Sequence, residues 1–392
     1  MFRPVNHLPS VIIWIFLCAC YSGCTAHSDS RNPNSANPDS TQSGNITNPE
    51  SDENFDHPPG SGWFAQNHFQ SAGLIGPLGG PSFNPLSWHK VEGDVLAYTD
   101  DVWGRRVKPR GVFQIPGGIG ILYNSKPPAD YSGNGALYQT GSLAFTRNLV
   151  NWYDYPGNPV LSEIQHEWQG RQRVMPRAML YDGRNEQWVV YFVDALGSYT
   201  GTRAVGVAYS RDLKTWEIDE RIAMTIEDYA SETAHLSNRS VDEIIKQRGR
   251  VYAAWAKFHE DRYYISASGY MFVSDEPGGP FEYYDGFRGE LSPRTRPVYW
   301  AGKWYTAFPG TWDGQPGIGL ASSDHLMGPY RENTDNPVFT IESTSRARPQ
   351  LIRYDGVWAV IYCHTYDGDT NRMSLRVAVS GIHPDIISAI QN

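Results

Sequence analysis

From Gly60 onward, short runs of aromatic and aliphatic residues alternate with Gly, Pro, Asn and Asp turns. Runs of this length and punctuation predict β-strands rather than helices. The unit is clearest between Met175 and Trp216, where MPRAMLYD turns at Asp182-Gly183 into QWVVYFVDA. The chain then rises through AVGVAYS to Ser210, a polar Arg211-Asp212 cap and Trp216. No sustained helical period runs through the body of the chain, and Thr225 to Ile244 is the one stretch suited to a short helix or two.

The unit recurs. Five inner-strand copies align on KPRGVF at Pro109, MPRAML at Pro176, VDEIIK at Asp242, RPVYW at Pro297 and RPQLI at Pro349, in steps of 67, 66, 55 and 52 residues. Each leads to a second strand (IGILYNS, QWVVYFVDA, VYAAWAKF, KWYTAFPG, VWAVIYCH). A third strand follows, ending at Thr146, Ser210, Ser274, Ser323 and Ser380, in steps of 64, 64, 49 and 57. Two marks advancing together predict an all-β fold, a five-bladed β-propeller with a central pocket, spanning residues 61–392. The chain ends a dozen residues after Ser380, too soon for an outer strand in the last blade. Residues 81–99 are therefore expected to complete that blade and close the ring, hiding an exposed edge. An accessory hairpin over one face is the alternative.

The first sixty residues have a different texture. Residues 1–24 read as an export signal, with Arg3 ahead of the apolar run Val11 to Leu17, which is short for a membrane span. The sequence Ser22-Gly23-Cys24 resembles a bacterial lipoprotein processing site, so Cys24 is the expected lipidation point; Leu17-Cys18-Ala19-Cys20 is a second such end, and plain secretion is the alternative. Residues 25–60 are rich in Ser, Asn, Asp and Pro and are expected to form a flexible tether. The expected location is exported and membrane-anchored, with the lipid as the only membrane contact. After processing, Cys363 is the one cysteine in the folded part, which excludes an intradomain disulfide.

A net charge of −9, from 33 basic and 42 acidic residues, speaks against a general nucleic-acid partner. Thirteen tryptophans suit both a β core and the stacking of sugar rings. No zinc-type spacing, phosphate loop or nucleotide-binding glycine pattern occurs, so no cofactor or metal is expected, although a single axial cation of the kind some propellers hold is compatible with the sequence.

The segments Thr146-Arg147-Asn148-Leu149-Val150-Asn151-Trp152 and Ser210-Arg211-Asp212-Leu213-Lys214-Thr215-Trp216 carry a family likeness. So do Ser274 to Phe281, Ser323 to Tyr330, and the two Asn-Pro-Val steps at Asn158 and Asn336. Together they resemble the blade signature of the five-bladed glycoside hydrolases, such as families 43, 32, 117 and 130, over residues 80–385. The resemblance implies a glycosidase with carboxylates as general acid and base on the inner strands around the axis. The first two inner strands depart from the family pattern, carrying Lys108-Pro109 and Met175-Pro176 where the resemblance implies an Asp before the Pro.

The third aligned copy carries Asp242 and Glu243, which as strand neighbours point to opposite sides. Glu243 shares its parity with Lys108, Arg110, Arg177, Arg296, Arg348 and Gln350, and is the preferred general acid, with a structural ion pair as the alternative. Asp100 and Asp101 are the nearest candidates for the base, and His235 is a further acid or base. His166 and Glu167 are weaker candidates. Arg110, Arg177, Arg296 and Arg348 recur at one end of four inner strands and favour a carboxylate or sulfate on the sugar. The expected function is hydrolysis of oligo- or polysaccharides from plants or algae, with anionic sugars favoured by the arginines. Two alternatives stand beside it: a glycan-binding lipoprotein without activity, and a lyase for uronate polymers.

Overall fold

A computed structural model describes residues 81–97, 107–115, 118–125, 140–161, 174–193, 204–285, 295–354, 357–366 and 372–380. The signal, the tether and Cys24 lie outside the described residues, as do Asp100, Asp101, His166 and Glu167. The described strands form five antiparallel sheets, the blades of a propeller.

Blade I is β2 (Lys108–Ile115), β3 (Gly118–Ser125), β4 (Thr140–Thr146) and β5 (Trp152–Asp154). Blade II is β6 (Met175–Asp182), β7 (Gln187–Val193) and β8 (Ala204–Ser210), with β9 (Glu217–Ile218) and β10 (Met224–Thr225) both paired to β8. Blade III is β11 (Ala253–His259), β12 (Arg262–Ala267), β13 (Tyr270–Ser274) and β14 (Glu282–Tyr283). Blade IV is β15 (Val298–Trp300), β16 (Lys303–Trp312) and β17 (Gln315–Ser323), with β18 (Arg331–Glu332) and β19 (Phe339–Thr340) on β17. Blade V is β20 (Gln350–Tyr354), β21 (Val357–Thr365), β22 (Met373–Ser380) and β1 (Trp88–Lys90).

The third strands end at the five hydroxyl residues that mark the repeat, and the hydrogen bonds give the reason. Ser210 Oγ accepts from the backbone N–H of Asp212 and Leu213, and Thr146 Oγ1 from that of Asn148. Ser274 and Ser323 accept from Glu276 and His325 in the same way. A hydroxyl at the strand end thus starts the turn that the ladder can no longer support. Leu149 and Leu213 both sit at φ 67°, and their carbonyls receive the indole N–H of Trp152 and Trp216. The Asn of each Asn-Pro-Val step pairs with both backbone groups of one residue in its third strand, Asn158 with Leu143 and Asn336 with Leu320.

The apolar core is divided. One buried cluster joins blades I and II through Phe113, Leu143, Trp188 and Phe192. Others join II and III, III and IV, IV and V, and V and I. Each sheet is apolar on both faces because each face is covered by a neighbouring blade.

Closure follows the sequence expectation. Strand β1 pairs with β22, with Trp88 opposite Ser380 and Lys90 opposite Ala378. Beyond it, Val91 and Val95 donate to Val377 and Leu375, so the N-terminal segment covers the outer edge of blade V. Trp88 is 7% exposed in the core between blades IV and V, its ring 5.8 Å from that of Phe339.

The third blade corrects the sequence reading. Residues 241–246 are not an inner strand but open helix α2 (Val241–Arg248), which follows α1 (Ile226–Ser237) in the stretch suited to helix. Ser240 caps α2 and Glu243 reaches back to it, a capping box that outweighs the regular spacing. The inner strand is β11, whose sequence aligns with the second strands of the other blades.

Truncation of the Trp88 ring tests closure. Trp88→Ala should lower the stability of the propeller by about 3–5 kcal/mol, read from the denaturant midpoint. A change below about 1 kcal/mol would mean that the ring holds without its closing strand.

Candidate functional site: a cationic axial cavity

The five inner strands surround a cavity of about 770 Å³, lined by residues of every blade, including Arg110, Met179, Trp255, Arg296 and Arg348. In three blades the inner strand carries an irregularity at the same place. The register shifts between Pro109 and Gly111, between Pro176 and Ala178, and between Ala253 and Trp255. The unpaired residues are Arg110, Arg177 and Ala254. A bulge frees one residue from the ladder and re-aims its side chain. The Pro beside the bulge in blades I and II fits, since it lacks the N–H that a regular ladder would use.

Three of the four expected arginines line the cavity: Arg110, Arg296 and Arg348. The fourth, Arg177, stands over the ring of Tyr252 at 5.3 Å and close enough to Arg110 for its charge to be felt there. In blade III the equivalent bulge residue is Ala254, so this blade contributes no arginine at that position. Two more arginines enter from elsewhere, Arg248 from the last turn of α2 and Arg346 from the segment leading to β20. Sequence reasoning missed both; Arg346 stands two residues before Arg348, a pairing that could have flagged it.

Arg110 is 8% exposed, and its Nε donates to Asn124 Oδ1. Burial lowers its affinity for a proton, and the charges of Arg348 and Arg177 lower it further. Burial alone brings Arg296 down to about 10, and its Nη2 donates to the carbonyl of Val112 at 2.8 Å. A guanidinium with a pKa of about 10 is still charged at neutral pH, so the cavity is cationic. Lys257, on β11, is lowered to about 7 by burial and then by Arg296. Its ammonium lies 5.4 Å from the centre of the Trp304 ring. Buried Cys363 is pushed up to about 11 by burial, against the opposing pull of Arg348, Lys108 and Arg110, and is an inert thiol at neutral pH. Tyr252, Trp255 and Phe308 supply aromatic surface to the same cavity.

The predicted acids are placed otherwise. Glu243 is exposed on α2, where its carboxylate accepts from the backbone and hydroxyl of Ser240; the backbone bond first and then the hydroxyl hold it below the usual carboxylate range. Asp242 is exposed beside it, and neither lines the cavity. The strand-parity reasoning that favoured Glu243 does not apply to a helix. His235 is exposed near the end of α1, its ring 5.5 Å from that of Tyr283. None of the described residues lining the cavity is Asp, Glu or His. Among the described residues, no group of three His, Cys, Asp or Glu could hold a metal ion, and no helix is long and apolar enough to cross a membrane.

Lys257 makes stability depend on pH in a definite direction. Between its lowered folded value of about 7 and the ordinary lysine value of ~10.4, the unfolded chain binds more protons than the folded one, so stability rises with pH across that window. Lys257→Met should remove this rise and should stabilise the protein at pH 6, as measured by denaturant midpoints from pH 6 to 10. A parallel pH profile in the variant would show that the amine is solvated.

No protein-family model and no curated protein sequence matches the chain. Solved structures do. One, described as a BT0996–RGII complex, is 12% identical, covers 75% of this chain and 92% of its own, and superposes with a TM-score of 0.53. A second, described as a glycoside hydrolase, is also 12% identical, covers 75% and 93%, and has a TM-score of 0.52. At this identity the likeness is one of fold, and the fold this chain shares with them is the five-bladed propeller.

Proposed function

We propose that the protein is a glycoside hydrolase acting on glycans that carry anionic groups, such as the uronate or sulfated polysaccharides of plants and algae. The observation that carries this reading is the axial cavity, lined by all five blades and charged by Arg110, Arg296, Arg348, Arg248 and Arg346. Guanidinium groups match carboxylate and sulfate oxygens in geometry as well as charge. Tyr252, Trp255 and Phe308 offer apolar surface for a sugar ring on the same walls. The shared fold with a structure described as a glycoside hydrolase supports the class of chemistry.

Hydrolysis requires a protonated group at the leaving oxygen and a carboxylate to activate water or attack directly. Asp101 or Asp100 is the proposed carboxylate base, since the chain passes through them shortly before β2 enters the ring at Lys108. Glu243, Asp242 and His235 are not part of this proposal. The rival reading is a binding protein that captures anionic glycans without cleaving them, and it is favoured by the lack of Asp, Glu or His among the described lining residues.

A panel of neutral, uronate-containing and sulfated oligosaccharides separates the two readings. New reducing ends should appear with charged substrates, vanish in Asp101→Asn or Asp100→Asn, and persist in Glu243→Gln. Binding without any new reducing ends would establish the capture protein, and an unsaturated-sugar absorbance would establish a lyase.

We also propose that Cys24 carries a lipid anchor after removal of residues 1–23, leaving residues 25–60 as the tether. Radiolabelled palmitate should enter the wild-type chain and be absent from Cys24→Ala; equal labelling of the two would refute the anchor.

A further inference from the structure

We propose that the cavity wall where blades I and V meet is a dedicated oxyanion subsite, formed by Arg110 and Arg348 and held in shape by Asn124. Blade I provides Arg110 from the bulge in β2, and the segment entering β20 provides Arg348. Both line the cavity. Arg110 Nη2 and Arg348 Nε are buried and make no hydrogen bond among the described residues. A buried charged donor left without an acceptor is expensive, and here two such groups also repel each other. An oxyanion set between them would satisfy both donors and cancel the repulsion.

Two further observations favour a built site over a chance cluster. Arg346 and Arg348 have φ of 60° and 44°, the left-handed region that a residue with a Cβ enters at a cost. Such backbone persists where the surroundings enforce it, and it clusters at ligand sites. Asn124 is fully buried, and its amide N–H groups donate to the carbonyls of Pro176 at 3.1 Å and Thr140 at 3.4 Å. Those two acceptors dictate which end of the amide is nitrogen, so Oδ1 is turned toward Arg110 Nε. Asn124 therefore fixes the guanidinium plane while leaving Nη2 free for a ligand. It is a positioning residue, neutral by nature, and does not supply the counter-charge that an Asp there would.

The ligand group is an oxyanion on a sugar, either a uronate carboxylate or a sulfate ester. This deepens the reading of the cavity as a glycan site and rests on it only for the choice of probe. Isothermal titration of the exported chain with glucuronate, glucose 6-sulfate, glucose and inorganic sulfate tests it, and the first two separate the carboxylate from the ester. The charged sugars should bind more tightly than glucose. Arg110→Met and Arg348→Met should each weaken charged-sugar binding by about tenfold or more, in keeping with the loss of a charge-assisted bond, and leave glucose unaffected. Without ligand, Arg348→Met should be no less stable than wild type, because a repulsion is removed. Asn124→Ala should flatten the preference for charged over neutral sugar, a change that a merely structural role would not produce. Arg348→Lys keeps the charge but loses the Nε donor, and its intermediate affinity decides the matter should the Met variants fail to fold.

Equal affinity of the wild type for glucose and glucuronate or glucose 6-sulfate would overturn the subsite while leaving a glycan site standing. Arg348-dependent binding of inorganic sulfate with no sugar bound would keep the subsite and overturn the glycan reading.

Discussion

Among the described residues, each buried apolar cluster lies between two neighbouring blades. That one constraint shapes the rest. A blade cannot bury its faces alone, so each sheet depends on both neighbours and the ring must close to leave none uncovered. Closure falls to β1, which pairs with β22 and thereby ties the N-terminal end of the propeller to its last blade. Packing between blades also leaves a cavity among the described residues where the five inner strands converge.

What fills the walls of that space runs against ordinary burial. Arg110 and Arg296, which line it, both have lowered proton affinity, with burial as the first cause in each case. The fold tolerates this by tying some donors to neutral acceptors, as Arg110 is tied to Asn124 and Arg296 to the Val112 carbonyl. Neutral acceptors orient a guanidinium without cancelling its charge, so the field in the cavity is left for a ligand. Register shifts in β2 and β6 place two of the arginines, and they occur beside Pro109 and Pro176, where a ladder donor is missing anyway.

Much of the fold was legible because its marks are local. A hydroxyl at a strand end, a leucine at positive φ and a tryptophan bonding back to it form one turn whose residues lie within seven positions of each other. Such a turn writes itself into the sequence each time it is used. The Asn-Pro-Val steps are legible for the same reason, one side chain closing on one residue of the adjacent strand. In the third blade the same kind of local pattern misleads. An even spacing and an apolar run suggest a strand at 241–246, but Ser240 and Glu243 close a capping box, and local helix chemistry prevails. With the strand goes the placement of the expected general acid, which stands on the surface and not at the axis.

The sequence by itself determined the number of blades, the ends of their third strands, the closing segment and the recurrence of arginine at the inner strands. These follow from hydrogen bonds and alternations that span a few residues. Only the tertiary structure decided that Arg110 and Arg348 line one cavity while Arg177 stands over the ring of Tyr252, and that Ala254 holds the equivalent place in blade III. Which side chains share a space depends on how separate blades are set around the axis, through packing between residues far apart in the chain, and no local pattern records that.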